Sequence, residues 1–380
     1  MKQIPKSWKW DTLRNVSIGS GEYGANLSGV AYSNNLYRYI RITDVNDDGS
    51  LNNNDPKSLS VEEGEEYRLD RGDILFARSG ATVGKTYLHK GEFPATFAGY
   101  MIRFKINSIK ANANYVFAWT KSAEYCRWII SMMRAGAQPN INATEFGNLP
   151  IILPPIAEQG RIVEVLSDAD AAVDKASRLL DKEKSIARLI LTKLIRKENQ
   201  MISIADVVDF QKGAPVSFIQ DGSGNPYIGS VNFDGTFTEF SNDSNGISCV
   251  DTDVLLLWDG ENAGKATTGL SGIVGSTVAR LRPKEGTNNE FLCGALKVEY
   301  ERIRLLREGS GIPHLPRDFL NRFKVPMMPY HRQCEISNLI VEQRNQQHKM
   351  IRRITALEKQ KRSLMQKLLS GEIRVLQKGD

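Results

Sequence analysis

One stretch of this chain occurs twice, and that repetition limits what it can fold into. Residues from Pro155 to about Lys197 return 174 positions later, from Pro329 to about Leu369, with Gln159 matched by Gln333, Ile162 by Ile336, Lys193 by Lys367 and Leu194 by Leu368. In the first copy Ile162, Leu166, Ala169, Val173, Ala176, Leu180, Glu183, Ala187, Ile190 and Leu194 step alternately by four and three, the spacing of a heptad seam. The second copy steps identically through Ile336, Ile340, Gln343, Gln347, Met350, Ile354, Leu357, Lys361, Leu364 and Leu368. Charged residues such as Arg178, Lys182, Lys184, Arg352, Arg353, Glu358 and Lys359 fall between and solvate the outer faces. About 40 helical residues at ~1.5 Å each make a rod of roughly 60 Å. The chain therefore reads as a tandem repeat, each half ending in a long helix whose apolar stripe needs a partner.

The segments before each helix also correspond. Tyr37–Ile42 alternates as a strand does, Asp44–Gly49 reads as a turn, and Gly72–Arg78 reads as a second strand closed by Ser79-Gly80. Asn114–Arg134 has helical periodicity, with Val116, Trp119, Tyr125, Trp128 and Ile129 on one side, and the Gly136–Asn142 loop leads to Pro154 and Pro155 at the helix start. In the second half Tyr227–Gly235 echoes Tyr39–Gly49, Thr252–Gly260 echoes Gly72–Gly80 at an offset of 180, and Gly309–His314 replays the Gly136 loop. The boundaries expected are a globular part over 1–154, a long helix over 155–200, a second globular part over 201–328 and a second helix over 329–380. The fold class is α+β: two mixed α/β globular parts separated by two long helices that pair as an antiparallel coiled coil, with an internal pseudo-twofold repeat. If the second helix packs along the first to bury the shared seam, it runs back antiparallel and turns the globular parts by about 180°.

Several chemistries are excluded by pattern. Ser79-Gly80-Ala81-Thr82-Val83-Gly84-Lys85-Thr86 has three residues between its glycines where a phosphate-wrapping P-loop needs four, and strand rather than helix follows it. The second half keeps Gly260, Gly264 and Lys265 but has Ala266 in place of the threonine. Asp44, Asn46, Asp48, Gly49, Ser50, Asn52 and Asp55 match a calcium loop in spacing apart from Asp rather than Glu at its last position, but strand-like flanks replace the helices, so a turn is favoured. His89, His314, His331 and His348 show no metal spacing, and Cys126, Cys249, Cys293 and Cys334 form no C-x-x-C pair, as expected of idle thiols in a reducing compartment. No enzyme signature remains. Nor does any apolar run suit a signal or membrane span, so the expected location is the cytoplasm and no membrane partner is expected.

A net charge of +6 is compatible with a polyanionic partner. The candidates for contacting bases and phosphates are polar or aromatic residues in matching loops. In the first half these are Arg41, Thr43, Arg78, Ser79, Lys85, Gln138, Asn140 and Asn142; in the second they are Ser230, Asn232, Trp258, Lys265, Ser310 and His314. Two domains on a rod could reach separate major-groove segments, which recur every ~34 to 36 Å along B-DNA. The competing expectation is a coiled-coil scaffold with two protein-binding ends. A stand-alone restriction or methylation enzyme has no catalytic domain in this sequence.

The order of these motifs resembles the specificity subunit of type I restriction-modification systems. Gly72–Gly80, Gly136–Asn142, Leu153-Pro154-Pro155-Ile156-Ala157-Glu158-Gln159 and the ending Leu364–Val375 carry the resemblance. The second copy, Met328-Pro329-Tyr330-His331-Arg332-Gln333, lacks one proline and the glutamate. The resemblance implies a non-catalytic subunit with two target recognition domains, each reading half of a bipartite site on double-stranded DNA. It further implies helices that set the spacer and dock two methyltransferase subunits, with motor and endonuclease subunits completing the complex. This chain would bind no cofactor: S-adenosylmethionine, ATP and Mg are expected on the partners.

Overall fold

The computed structural model describes residues 4–133, 139–197, 200–219, 223–309 and 311–375. It divides into two compact units, one formed by Met1–Lys175 with Thr355–Asp380 and the other by Ala176–Ile354. This division differs from the boundaries expected at the helix starts. Each unit takes in half of each long helix, because those halves pack into the core of the globular part beside them.

In the first unit a four-stranded antiparallel sheet runs in the order Ser17–Tyr23, Met101–Ile106, Asp73–Ala77, Thr86–Leu88. Every residue of Asp73–Ala77 is buried, because this central strand is covered on both faces. A second sheet runs Val30–Ala31, Lys57–Leu59, Tyr37–Ile40, Ala95–Phe97, its last pair parallel. Lys9–Thr12 pairs with Pro150–Leu153 and delivers the chain to the long helix Ile156–Arg196. The expected helix over Asn114–Arg134 is two helices, Ala113–Trp119 and Ala123–Met132. The break comes where the Ser122 hydroxyl accepts from the Tyr125 amide and starts a new helix, satisfying a donor that a continuous helix would have paired with its own backbone.

The second unit repeats the first sheet as Val208–Lys212, Val278–Pro283, Val254–Leu257, Ala266–Thr268, and the short pair as Met201–Ser203 with Lys324–Pro326. Its other sheet is rearranged to Phe240–Ser241, Asn225–Ile228, Gly272–Val274, Ile247–Cys249. The parallel pair persists there with an antiparallel strand on each side of it, whereas in the first unit both remaining strands lie on one side. One sheet of each unit is thus a shared frame and the other is where the halves diverge.

The second long helix spans Tyr330–Leu369. Every heptad position along it is buried or half-buried, including Gln343, Gln347 and Lys361 among exposed neighbours. The first helix behaves alike except at Ile190, which is 45% exposed. There the stripe has drifted by one residue onto Leu191 and Ile195, as a straight helix of 3.6 residues per turn does against a repeat of 3.5. Within the first unit Glu158 pairs with Arg374, Arg161 donates to the Val375 carbonyl and Asp170 pairs with Lys361. The start of the first helix meets the tail beyond the second, and Asp170 farther along meets Lys361 farther back, so the two segments are antiparallel in that unit. In the second unit Leu191 and Ile340 both face Gly294, where an added Cβ would come within 2.7 Å of Ile340. Glycine permits this approach of the Asn289–Val298 helix.

One side chain secures each helix start. Gln159 accepts from the Asn112 amide at 2.8 Å and donates to the Pro154 carbonyl at 2.9 Å. Gln333 accepts from the Asn288 amide and donates to the Met328 carbonyl, both at 2.8 Å. Asn112 and Asn288 in turn cap the helices that follow them. The glutamine that marks the motif in sequence is a buried clasp between two helix N-termini.

Candidate nucleic-acid interface

Each unit builds one corner from two loops that are distant in sequence. In the first, Gly80 donates to the Pro139 carbonyl at 3.0 Å and Ile141 to the Arg78 carbonyl at 2.9 Å, with Ser79 bridged to Asn140. In the second, Gly260 donates to the Pro313 carbonyl at 2.7 Å and Leu315 to the Trp258 carbonyl at 2.9 Å, with Asp259 bridged to His314. The Gly-x-x-x-Gly-Lys stretch is the hairpin turn beside this corner. Gly84 and Gly264 donate back to Ala77 and Leu257, and Gly80, Gly84, Gly260 and Gly264 all have positive φ, which is why glycine recurs there.

The side chains on these matching backbones differ. Arg78 lies over the Tyr23 ring, its guanidinium carbon 4.9 Å from the centroid, while Asn140 is exposed. In the second unit Lys212 pairs with Asp259 at 2.8 Å, while the His314 backbone exchanges two hydrogen bonds with the Glu308 backbone and its ring lies 3.3 Å from the Ile312 carbonyl. Lys85 pairs with Asp47 at 2.8 Å and holds that carboxyl below its ordinary value, whereas Lys265 is exposed with no side-chain partner among the described residues. Thr43 and Ser230 are exposed on the adjoining loops.

Four expected contact residues bond or pack within the fold. Trp258 is 6% exposed and packs against Phe210 and Phe319, since its side chain turns into the core while its backbone forms the corner. Asn232 is buried and donates to the Tyr227 carbonyl at 3.1 Å. Asn142 caps the Ala143–Gly147 helix reciprocally with Glu145. Arg41 is held by Asp44 and by the Asp55 carbonyl, and Asp44 keeps it firmly protonated, raising its pKa. With Asp44 so engaged and Asp48 bonded to Ser50, the acidic stretch is a turn stabilised by its own side chains. Gln138 and Ser310 lie outside the described residues. Tyr23, Lys212 and Asp259 were not among the candidates. Their signal was strand register: Tyr23 follows Glu22, the partner of Arg103, and Lys212 follows Gln211, the partner of Arg280.

The two units share an α+β frame, matching loop corners and long helices clasped to their globular parts. Residues 23–182 match the family model of the type I restriction modification DNA specificity domain. That part of the chain is therefore similar to type I restriction-modification specificity domains. The chain is 28% identical over 177 residues to the MjaVIII type I restriction enzyme specificity subunit of Methanocaldococcus jannaschii, covering 45% of this chain and 42% of that one. The chain thus matches less than half the length of that relative. It is 24% identical to the putative MjaX specificity subunit of the same organism, over 84% of this chain and 82% of the other. A solved chain from a study of complex assembly and conformational transition in the type I R-M system shares the fold, with a TM-score of 0.66, 17% identity and coverage of 98% and 100%.

Proposed function

We propose that this chain is the DNA-reading, non-catalytic subunit of a type I restriction-modification complex, each globular part reading one half of a bipartite duplex target. The carrying observation is the corner built twice with the same backbone bonds and different side chains. The long helices set the distance between half-sites and carry two methyltransferase subunits. Motor and endonuclease subunits join that assembly in the cytoplasm. S-adenosylmethionine, ATP and Mg act on those partners. No described helix is long and apolar enough to cross a membrane. The scaffold reading is not favoured, since the relatives named above are specificity subunits. The test is methylation mapping in cells carrying this chain with its methyltransferase partner. A bipartite adenine-methylated motif is expected, and genomic DNA without any such motif overturns the proposal.

A further inference from the structure

A guanidinium withdrawn from water needs acceptors. Arg38 and Arg103 donate to main-chain carbonyls, and Arg41, Arg344 and Arg374 to carboxylates. Arg78 differs. It is half-buried, its Nε is sealed from solvent without a hydrogen-bond partner, and no carboxylate or carbonyl of the described residues accepts from its side chain.

What holds Arg78 is the Tyr23 ring, and that ring is itself fixed. The Tyr23 backbone pairs with Ile102, and its hydroxyl accepts from the Ala143 amide at 3.1 Å. The Arg78 backbone is tied at both ends too, donating to the Tyr100 carbonyl at 3.0 Å and accepting from Ile141 at 2.9 Å. Much of the freedom an arginine gives up on binding has been given up in advance. The result is a planar, oriented fork of donors without acceptors among the described residues, beside exposed Asn140 at the corner of the first unit.

Two groups on duplex DNA present paired acceptors to such a fork: the O6/N7 edge of guanine and the phosphate oxygens. The position favours the base. A phosphate contact serves both half-sites alike and would call for the same residue twice, yet the second unit places core-facing Trp258 here and a Lys212–Asp259 pair beside it. A ring that fixes the plane of the fork also matters for a flat base edge more than for a tetrahedral phosphate. We infer that Arg78 reads a guanine in the half-site of the first unit and that Tyr23 is its positioning residue. This deepens the DNA-reading function and rests on it.

The experiment is methylation mapping with the full chain and its methyltransferase partner, comparing wild type, Arg78→Lys, Arg78→Gln and Tyr23→Leu. Wild type should methylate a bipartite motif containing a guanine that both Arg78 variants relax. Discrimination at that position should fall on the order of 10- to 100-fold, with the other half-site and the spacer unchanged. Tyr23→Leu should relax the same position to a smaller extent. The unchanged half-site shows that the variants fold. An intact motif in the Arg78 variants overturns the inference while leaving the DNA-reading function standing. So does a uniform loss of binding across sequences with a weaker salt dependence, which identifies a phosphate contact. If Arg78→Gln abolishes methylation altogether, an unrelaxed motif in Tyr23→Leu and Arg78→Lys overturns it. A wild-type chain with no bipartite motif removes the DNA-reading function and the inference together.

Discussion

Glu158 is the residue whose removal should most selectively unsettle the first unit. Its side chain is 1% exposed, and it accepts from Arg374 Nε at 2.6 Å, from the same guanidinium at 2.7 Å and from Trp8 Nε1 at 3.0 Å. Arg374 lies in the tail after the second helix and Trp8 just before the first strand, so one carboxylate joins three segments of that unit. Breaking a buried ion pair from one side costs about 3–5 kcal/mol. The Arg374 side chain is 26% exposed and can recover part of its hydration, so Glu158→Ala is expected to cost about 2–4 kcal/mol. In a unit of roughly 200 residues that lowers its melting temperature by about 5–15 °C. Calorimetry combined with hydrogen exchange on Lys9–Thr12 and Pro150–Leu153 reads the effect. The transition of the second unit should stay in place, because Arg332 at the matching position is exposed and among the described residues pairs only with Glu335.

The same residue gives a pH signature. Burial alone would raise the Glu158 carboxyl, but the hydrogen bonds from Arg374 and Trp8 outweigh it and hold the group below the usual carboxylate range. A carboxyl depressed in the folded state contributes stability above its unfolded pKa of about 4.3 and loses it as pH falls through the folded value. The gap between wild type and Glu158→Ala should therefore be widest near neutral pH and close in acid. A loss under about 0.5 kcal/mol, or equal destabilisation of both units, refutes this account of the clasp.

Gln333→Leu removes the acceptor for the Asn288 amide and the donor to Met328 while keeping similar bulk, so it should cost about 1–3 kcal/mol and speed exchange at the Asn288 amide. Trp258→Ala should destabilise the second unit by about 3–5 kcal/mol in chemical denaturation, and molecules that remain folded should keep the motif of the first half-site. Deleting seven residues from each long helix should shorten the spacer in a methylation map without changing either half-site, and an unaltered spacer counts against the ruler role.

The helices were legible because their stripe repeats often enough to outweigh any single residue. Even Lys361, which breaks the apolar pattern, keeps its register by pairing with Asp170 in the first unit. The clasps were half legible: Gln159 and Gln333 stood out in a motif, but nothing local says that they reach Asn112 and Asn288. The corner was harder to see. Trp258 follows a buried strand in a loop rich in glycine, a pattern equally fitting a surface aromatic, and only the packing of Phe210 and Phe319 decides that it faces inward. Tyr23 lay in a polar, glycine-rich stretch, and its importance depends on strand pairing with Ile102 and on a hydroxyl bond to Ala143.

The repeated and unrepeated features separate by physical type. Glutamine clasps, capping asparagines, positive-φ glycines and the backbone bonds of the corner recur in both units, and all of them hold the chain in place. Arg78 and Trp258, Ser79 and Asp259, Tyr23 and Lys212, and Asn140 and His314 share backbone positions while differing in charge, shape and hydrogen-bonding capacity. Stability acts mainly through the first set and recognition through the second, so side chains at the corner can change while the backbone bonds that form it stay. The exception is Trp258, where a position at the corner has been given to the core. The corner of that unit then presents Lys265, Asp259, His314 and the exposed Ser230 loop, a polar set with no counterpart among the described residues to the stacked arginine.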